Sequence, residues 1–260
     1  MSDIVVEQKG DVCWIRLNRP ERMNCYDAEM AKELIAAIED ASDSGVIVLS
    51  GTGRAFCAGG YLANLSDPDP DALRRMFYGS LHVYDAIRNS PRPVIAAVNG
   101  AAAGGGNELV VACDIAIAAD TATFGQTGVR VGSAPVLGGT NFLAMNIGEK
   151  RAKEVAFMCR KYKAQEAMDM GWINAVVSPD QLDEEVTKWA DELLAMSPRY
   201  LEIAKISSNQ WWNQSRDTYM SGLGMLVQAI GSNDMIEGAT AFMEKRKPQF
   251  EGRNKNNESN

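Results

Sequence analysis

The stretch Asn99-Gly-Ala-Ala-Ala-Gly-Gly-Gly-Asn-Glu108 puts a carboxylic acid three residues beyond the middle glycine of a run of three. Glycines 104–106 carry no Cβ, so a ligand can approach the main chain closely there. A helix beginning near Gly105 would leave its first N–H groups without intrahelical acceptors and aim the positive end of its dipole at the same point. Glu108, three residues on, would project from roughly the face that carries the Gly105 N–H. An anion-stabilising donor and an acid/base group would then meet one ligand. The alternative, from spacing alone, is a tight glycine turn beside a solvated glutamate. A second glycine loop, Arg54-Ala-Phe-Cys-Ala-Gly-Gly60, favours the chemical reading. Both loops follow short apolar strands, and ligands of open α/β sheets collect where adjacent strands end. Two N–H donors converging there on a carbonyl oxygen would form an oxyanion hole.

The elements that must position these loops can be read from hydrophobic periodicity. Residues Ile4 to Gln8 and Val12 to Leu17, separated by Lys9-Gly10-Asp11, predict an opening hairpin. From Asp27 the apolar Met30, Leu34, Ile35 and Ile38 recur at helical spacing, and Val46 to Leu49 is a short continuous apolar strand. The rhythm returns with a helix over 71–89, a strand over 94–98 and a strand over 114–119, which is an α/β layered arrangement. After about Gly148 only helices are expected, over 149–159, 164–170, 181–196 and from Pro198 onward. Pro179 fits the first position of one and Gly171 the end of another. We divide the chain into an α/β core, 1–200, and a helical C-terminal region, 201–260. The latter holds Trp211, Trp212, Met220, Leu223, Met225 and Leu226, an apolar set that must pack on the core or on a neighbouring subunit. Residues 253–260 are polar and expected to fray.

Composition narrows the function. The 260 residues are 46% hydrophobic and 23% charged, which is globular, and 26 basic against 34 acidic side chains give a formal charge of −8. No bulk basic field exists to attract a nucleic-acid backbone. Five cysteines, scattered and never in a CxxC pair, read as free thiols in a reducing compartment, with no zinc site or redox couple expected. The acidic start lacks the pattern of a signal peptide, and no apolar run is long enough to span a bilayer. The expectation is a soluble, cytoplasmic protein without a metal.

The set Asn18-Arg-Pro-Glu-Arg-Met-Asn24, Ala55-Phe-Cys-Ala-Gly-Gly60, Pro93-Val-Ile-Ala-Ala-Val-Asn-Gly100, Gly104-Gly-Gly-Asn-Glu108, Cys113-Asp114 and Glu244-Lys-Arg-Lys-Pro-Gln-Phe250 resembles the crotonase (enoyl-CoA hydratase/isomerase) superfamily along almost the whole chain. Their order and spacing together are highly specific. The resemblance implies an α/β fold with a crotonase-like β-β-α spiral core and a helical C-terminal trimerisation region. It implies an acyl-CoA substrate, a homotrimer or a hexamer built as a dimer of trimers, and no cofactor beyond the CoA of the substrate. It places the oxyanion hole on the N–H groups of Ala58 and Gly105, and Glu108 at the first catalytic glutamate of the hydratases.

The sequence departs from the hydratases at their second acid, whose place holds Gly128. The segment Phe124-Gly-Gln-Thr-Gly-Val-Arg-Val-Gly-Ser133 instead resembles the subgroup that makes or opens rings: dihydroxynaphthoyl-CoA synthase, 2-ketocyclohexanecarboxyl-CoA hydrolase and 6-oxocyclohex-1-ene-1-carbonyl-CoA hydrolase. Ser133 matches a serine of that subgroup; Pro135 stands where the first two of these have Asp, and they lack a glutamate at the place of Glu108. Ser133 and Tyr61 are expected to position a second substrate oxygen, with a loop cap and a pocket wall as their structural alternatives. Arg19, Arg22, Arg54 and Lys245, with Arg246, are candidates for the CoA phosphates, and Gly59 for the loop against the ligand. His82, the only histidine, reads as a packed or exposed helix residue before it reads as a base. The activity expected is addition of water to an enoyl-CoA or a ring-opening C–C hydrolysis. The alternatives are an isomerase or naphthoate-synthase-like cyclase and, in another class, a non-catalytic CoA-thioester or RNA-binding scaffold.

Overall fold

The computed structural model describes residues 2–250, the side chains of Asn64, Asp217, Thr218 and Tyr219 excepted; the polar tail over 253–260 lies outside the described residues. The strands are β1 (Ile4–Lys9), β2 (Val12–Leu17), β3 (Val46–Gly51), β4 (Ala55–Cys57), β5 (Val94–Val98), β6 (Ala101–Ala103), β7 (Ile115–Ala119), β8 (Thr123–Gly125), β9 (Tyr162–Lys163) and β10 (Ala175–Val177). One sheet runs β1-β2-β3-β5-β7-β10 and a smaller one β4-β6-β8-β9. The expected hairpin is present, with β1 antiparallel to β2, and the rest of the larger sheet is parallel.

Parallel strands are covered on both faces, which explains their continuous apolar sequences. Val46, Val48, Ile95, Ala97, Ile117 and Ala119 face α8 (Leu182–Leu194), which contributes Leu182, Val186 and Ala190. The alternate residues Ile47, Leu49, Ala96 and Val98 face the main core. That core is closed by α1 (Ala28–Asp40) and α3 (Pro70–Asn89). Helix α1 starts where Asp27 accepts a hydrogen bond from the Met30 N–H at 3.0 Å, and α3 starts with Pro70 behind the capping Asp69.

One expectation needs correction. Strands do not stop at Gly148: β9 extends the smaller sheet and β10 the edge of the larger. Both are only two or three residues long, too short to carry a period. The boundary at 200/201 falls inside α9 (Pro198–Ser208). The C-terminal helices α9, α10 (Gln210–Gln228) and α11 (Asn233–Met243) are anchored on the core by specific contacts. Buried Lys205 places its ammonium 2.7 Å from Asp114 and donates to the carbonyls of Ile87 and Arg92 at 2.9 and 2.8 Å. Trp212 stacks on Phe142 with ring centroids 3.9 Å apart, and its neighbour Trp211 remains 65% exposed. Gly238 of α11 lies so close to the Val131-Gly132 turn that a Cβ would collide with its backbone.

Candidate active site

The smaller sheet delivers two chain reversals side by side. After β4 the chain turns through Ala58-Gly59-Gly60, with Gly59 at φ +97°. After β6 it turns at Gly104, φ +54°, into α4 (Gly105–Ala112). Only glycine adopts these conformations without strain. Gly106 must also lack a side chain, because a Cβ there would run into the carbonyl of Cys57. This close approach seats the first turn of α4 against the end of β4. Ala58, Gly59, Gly104, Gly105 and Glu108 thereby line one pocket.

Glu108 is 5% exposed. Its Oε1 accepts hydrogen bonds from the Leu137 and Gly139 N–H groups at 3.0 and 2.9 Å, leaving Oε2 for chemistry. Burial pushes its carboxyl up to about 8, against the opposing pull of those two bonds. A carboxylic acid that exchanges its proton near neutral pH suits general acid/base work. Among the described residues lining the pocket it is the one carboxylate.

The two expected oxyanion donors differ. Gly105 is the first residue of α4, so its N–H precedes the first intrahelical acceptor. The Ala58 N–H already donates to the Met23 carbonyl at 3.0 Å. That carbonyl is held by consecutive left-handed residues, Met23 at φ +53° and Asn24 at φ +56°. The buried Asn24 amide fixes the turn by donating to the carbonyls of Thr52 and Ala55 at 3.0 and 2.8 Å, while its Oδ1 accepts from the Arg19 N–H at 2.9 Å.

Ser133 lines the pocket, its N–H bonded to the Gly128 carbonyl at 2.9 Å. Gly128 also lines the pocket, and a Cβ there would stand 3.1 Å from the Ala134 backbone. Tyr61 is not among the pocket-lining residues; its ring packs under the Arg22 guanidinium, 4.7 Å away. Arg19 is engaged by Asp3 and Asp27 at 2.5 and 2.6 Å, so its charge is matched within the fold. Arg22, Arg54 and Lys245 are exposed, and His82 is exposed on α3, outside the pocket lining.

Several pocket residues carry no local sequence signal. Leu137 and Gly139 act through backbone N–H groups in a loop 29 and 31 residues beyond the acid they bind. Gln126 lines the pocket fully buried, and neither atom of its amide has a partner among the described protein groups. Tyr26 lines the pocket because a parallel bridge between Tyr26 and Gly60 brings the start of α1 to the Ala58 loop. The set Asn18 to Asn24 was the one signal near it. No cluster of three or more His, Cys, Asp or Glu suited to a metal occurs among the described residues, and no helix among them is long and apolar enough to cross a membrane.

Comparison with known proteins agrees with this geometry. The family model for enoyl-CoA hydratase/isomerase matches residues 7–253. An enoyl-CoA hydratase from Mycobacterium avium subsp. paratuberculosis K-10 superposes with a TM-score of 0.85 at 26% identity, over 93% of this chain and 99% of that one. An enoyl-CoA hydratase from Bacillus anthracis is 32% identical with a TM-score of 0.78, over 96% and 100% of the two chains. A carnitinyl-CoA hydratase from Mycobacterium avium gives 0.85 at 27% identity, over 96% and 99%. The α/β fold with its helical C-terminal region is thus that of the crotonase superfamily, and the chain belongs to the enoyl-CoA hydratase/isomerase family.

Proposed function

We propose that this enzyme binds an acyl-CoA thioester, stabilises its enolate and adds water, either across an enoyl double bond or at the ring ketone of a cyclic oxo-acyl-CoA. The observation that carries the reading is the buried carboxylate of Glu108, the one carboxylate among the described residues lining the pocket, one helical turn from the Gly105 N–H. In both reactions the proton traffic is the same. Ionised Glu108 takes a proton from water as the water oxygen bonds to carbon. In the hydration, the electrons of the double bond move to the thioester oxygen. In the ring opening, the bond between the ring ketone carbon and the α-carbon breaks, and its electrons go the same way. Glu108 then returns the proton to the α-carbon and the enolate collapses. Negative charge develops on the thioester oxygen, where the Gly105 N–H and the α4 dipole stabilise it. The Ala58 N–H serves as a second donor shared with the Met23 carbonyl. Ser133 positions the second oxygen from the pocket wall, and Tyr61 stands back from the pocket with Arg22.

Arg22, Arg54 and Lys245 are the exposed cations offered to the CoA phosphates, with Gly59 packing against the ligand. Assembly as a trimer or a dimer of trimers would cover apolar side chains exposed on the C-terminal helices, among them Tyr200, Ile203, Trp211, Met225 and Phe242.

The test is tandem mass spectrometry after incubation in ¹⁸O-labelled water with linear enoyl-CoA, 2-oxocyclohexanecarbonyl-CoA and 6-oxocyclohex-1-ene-1-carbonyl-CoA. Labelled oxygen in a new carboxylate identifies ring opening; labelled oxygen in a hydroxyl identifies hydration. The single carboxylate also supports an isomerase or a ring-forming synthase, in which Glu108 only moves a proton. That reading is selected if solvent deuterium enters the substrate and no oxygen does.

A further inference from the structure

Resting on the acyl-CoA reading, we infer that Leu226 of α10 sets the length of acyl chain the pocket accepts, and that the acyl group taken is a short one. Its side chain belongs to a thin wall between the pocket that holds Glu108 and a second, larger cavity.

The pocket with Glu108 has a volume of about 90 Å³. A cavity of roughly 150 Å³ takes one benzene, so the space suits a linear chain of a few carbons better than a ring. Around it stand the apolar side chains of Leu62, Leu65, Met76, Phe77 and Leu137, which favour a hydrocarbon. The neighbouring cavity measures about 780 Å³ and is also largely apolar, with Val129, Val136, Phe157, Met158 and Met225 in its lining. Among the described residues, Ser133, Ala134 and Leu226 alone border both spaces. At these places the partition is a single residue thick.

Two of the three residues are fixed through their backbone. The Ser133 N–H is bonded to the Gly128 carbonyl, and the Ala134 carbonyl accepts from the Val136 N–H, both at 2.9 Å. Gly128 packs tightly beneath Ala134, where it leaves no slack for a Cβ. Their side chains are small, so the bulk of the partition comes from Leu226, which is 6% exposed. Gly222, one helical turn earlier, lets α10 lie directly on this loop: a Cβ there would stand 3.3 Å from the Cβ of Val136. Residues four apart share a helix face, so Leu226 is carried against the same loop. Cutting its side chain back to Cβ joins the two cavities. A chain that is stopped in the wild type can then continue into apolar space, and each methylene taken out of water tightens binding about fourfold.

The experiment measures binding of butyryl-, hexanoyl-, octanoyl- and decanoyl-CoA to the full-length wild-type protein and to Leu226→Ala by isothermal titration calorimetry. These chains are saturated and have no double bond for water to attack. The readout is the ratio of decanoyl-CoA to butyryl-CoA affinity, in which a general weakening of the fold cancels. In the wild type, affinity is expected to stop rising after hexanoyl-CoA. In Leu226→Ala it is expected to keep rising through decanoyl-CoA, so that the ratio grows at least about tenfold over the wild type. A wild-type affinity that climbs through decanoyl-CoA, or a variant that stops where the wild type stops, overturns the inference and leaves the acyl-CoA reading standing. Failure of the wild type to bind any member of the series overturns both. If Leu226→Ala does not fold, the milder Leu226→Val takes its place. The ratio of octanoyl-CoA to butyryl-CoA affinity must then exceed that of the wild type, and an unchanged ratio overturns the inference.

Discussion

Replacing Glu108 by Gln isolates the cost of burying its carboxyl group. The variant keeps an Oε1 acceptor for the Leu137 and Gly139 N–H groups, so it removes the titration and little else. In the wild type, burial holds the acid at about 8 against an ordinary value of 4.5. Between these values the unfolded chain has lost the Glu108 proton and the folded chain keeps it. The folded state then binds one more proton, so stability falls as pH rises, by about 1.4 kcal/mol per pH unit. The contribution is fully present below 4.5 and gone above about 8. Over the whole window it amounts to at most about 5 kcal/mol, reduced by whatever relaxation the charged form induces. Every other titrating group is common to both proteins, so the difference between their curves reports Glu108 alone. Urea unfolding followed by tryptophan fluorescence, at fixed protein concentration from about pH 5 to 9, provides the curves. The Gln variant is expected to gain on the wild type steadily up to about pH 8 and to hold a constant lead above it. Two parallel curves would refute the reasoning, because they would place the folded Glu108 near its ordinary value.

The same carboxyl sets the activity profile: turnover that needs ionised Glu108 rises about tenfold per pH unit below about 8 and levels above it, and Glu108→Gln loses a factor of about 100 to 10,000 in kcat. A bell or a fall over that range in steady-state assays would show that the protonated form acts first. Gly139→Ala puts a methyl group into the Gln126 amide, displaces the loop that binds Glu108 and costs about 1–3 kcal/mol, visible as a lowered urea midpoint with a larger proportional loss of kcat. Lys205→Met strands the Asp114 carboxylate and the carbonyls of Ile87 and Arg92, and is expected to lower unfolding free energy by about 3–5 kcal/mol; a change under about 1 kcal/mol would mean that the ion pair merely offsets its desolvation.

Residues that act by type and spacing in one stretch were legible. Glycines 104–106 with Glu108, and the Ala58-Gly59-Gly60 turn, could be brought together from sequence because each lies within about ten residues of the end of a large-sheet strand, β5 or β3, whose apolar run is plain. The large sheet was readable for the same reason. The small sheet was not, since β4, β6, β8 and β9 have two or three residues each and are held in place by neighbours rather than by pattern. Tyr61 and Tyr26 show the limit most sharply. Tyr61 adjoins the glycine turn in sequence yet turns its ring to Arg22, whereas Tyr26 is more than 30 residues from that turn and reaches the pocket through one bridge to Gly60. Likewise Arg19 reads as a free cation until the fold shows Asp3 and Asp27 on either side of it.

The near-contact of Gly238 with the Val131-Gly132 turn bears on how such a chain can diversify. That turn leads directly into Ser133, and Leu226 of α10 also lines the pocket. The C-terminal helices are therefore part of the mould that shapes the acyl group, and the seam at residue 200 is not a line along which pieces can be exchanged. Helices grafted from a relative would fit only if they carried glycine at position 238 and a side chain of matching size at 226. Drift in substrate preference must then proceed by coordinated changes on both sides of that seam, so the whole chain is the unit that evolves.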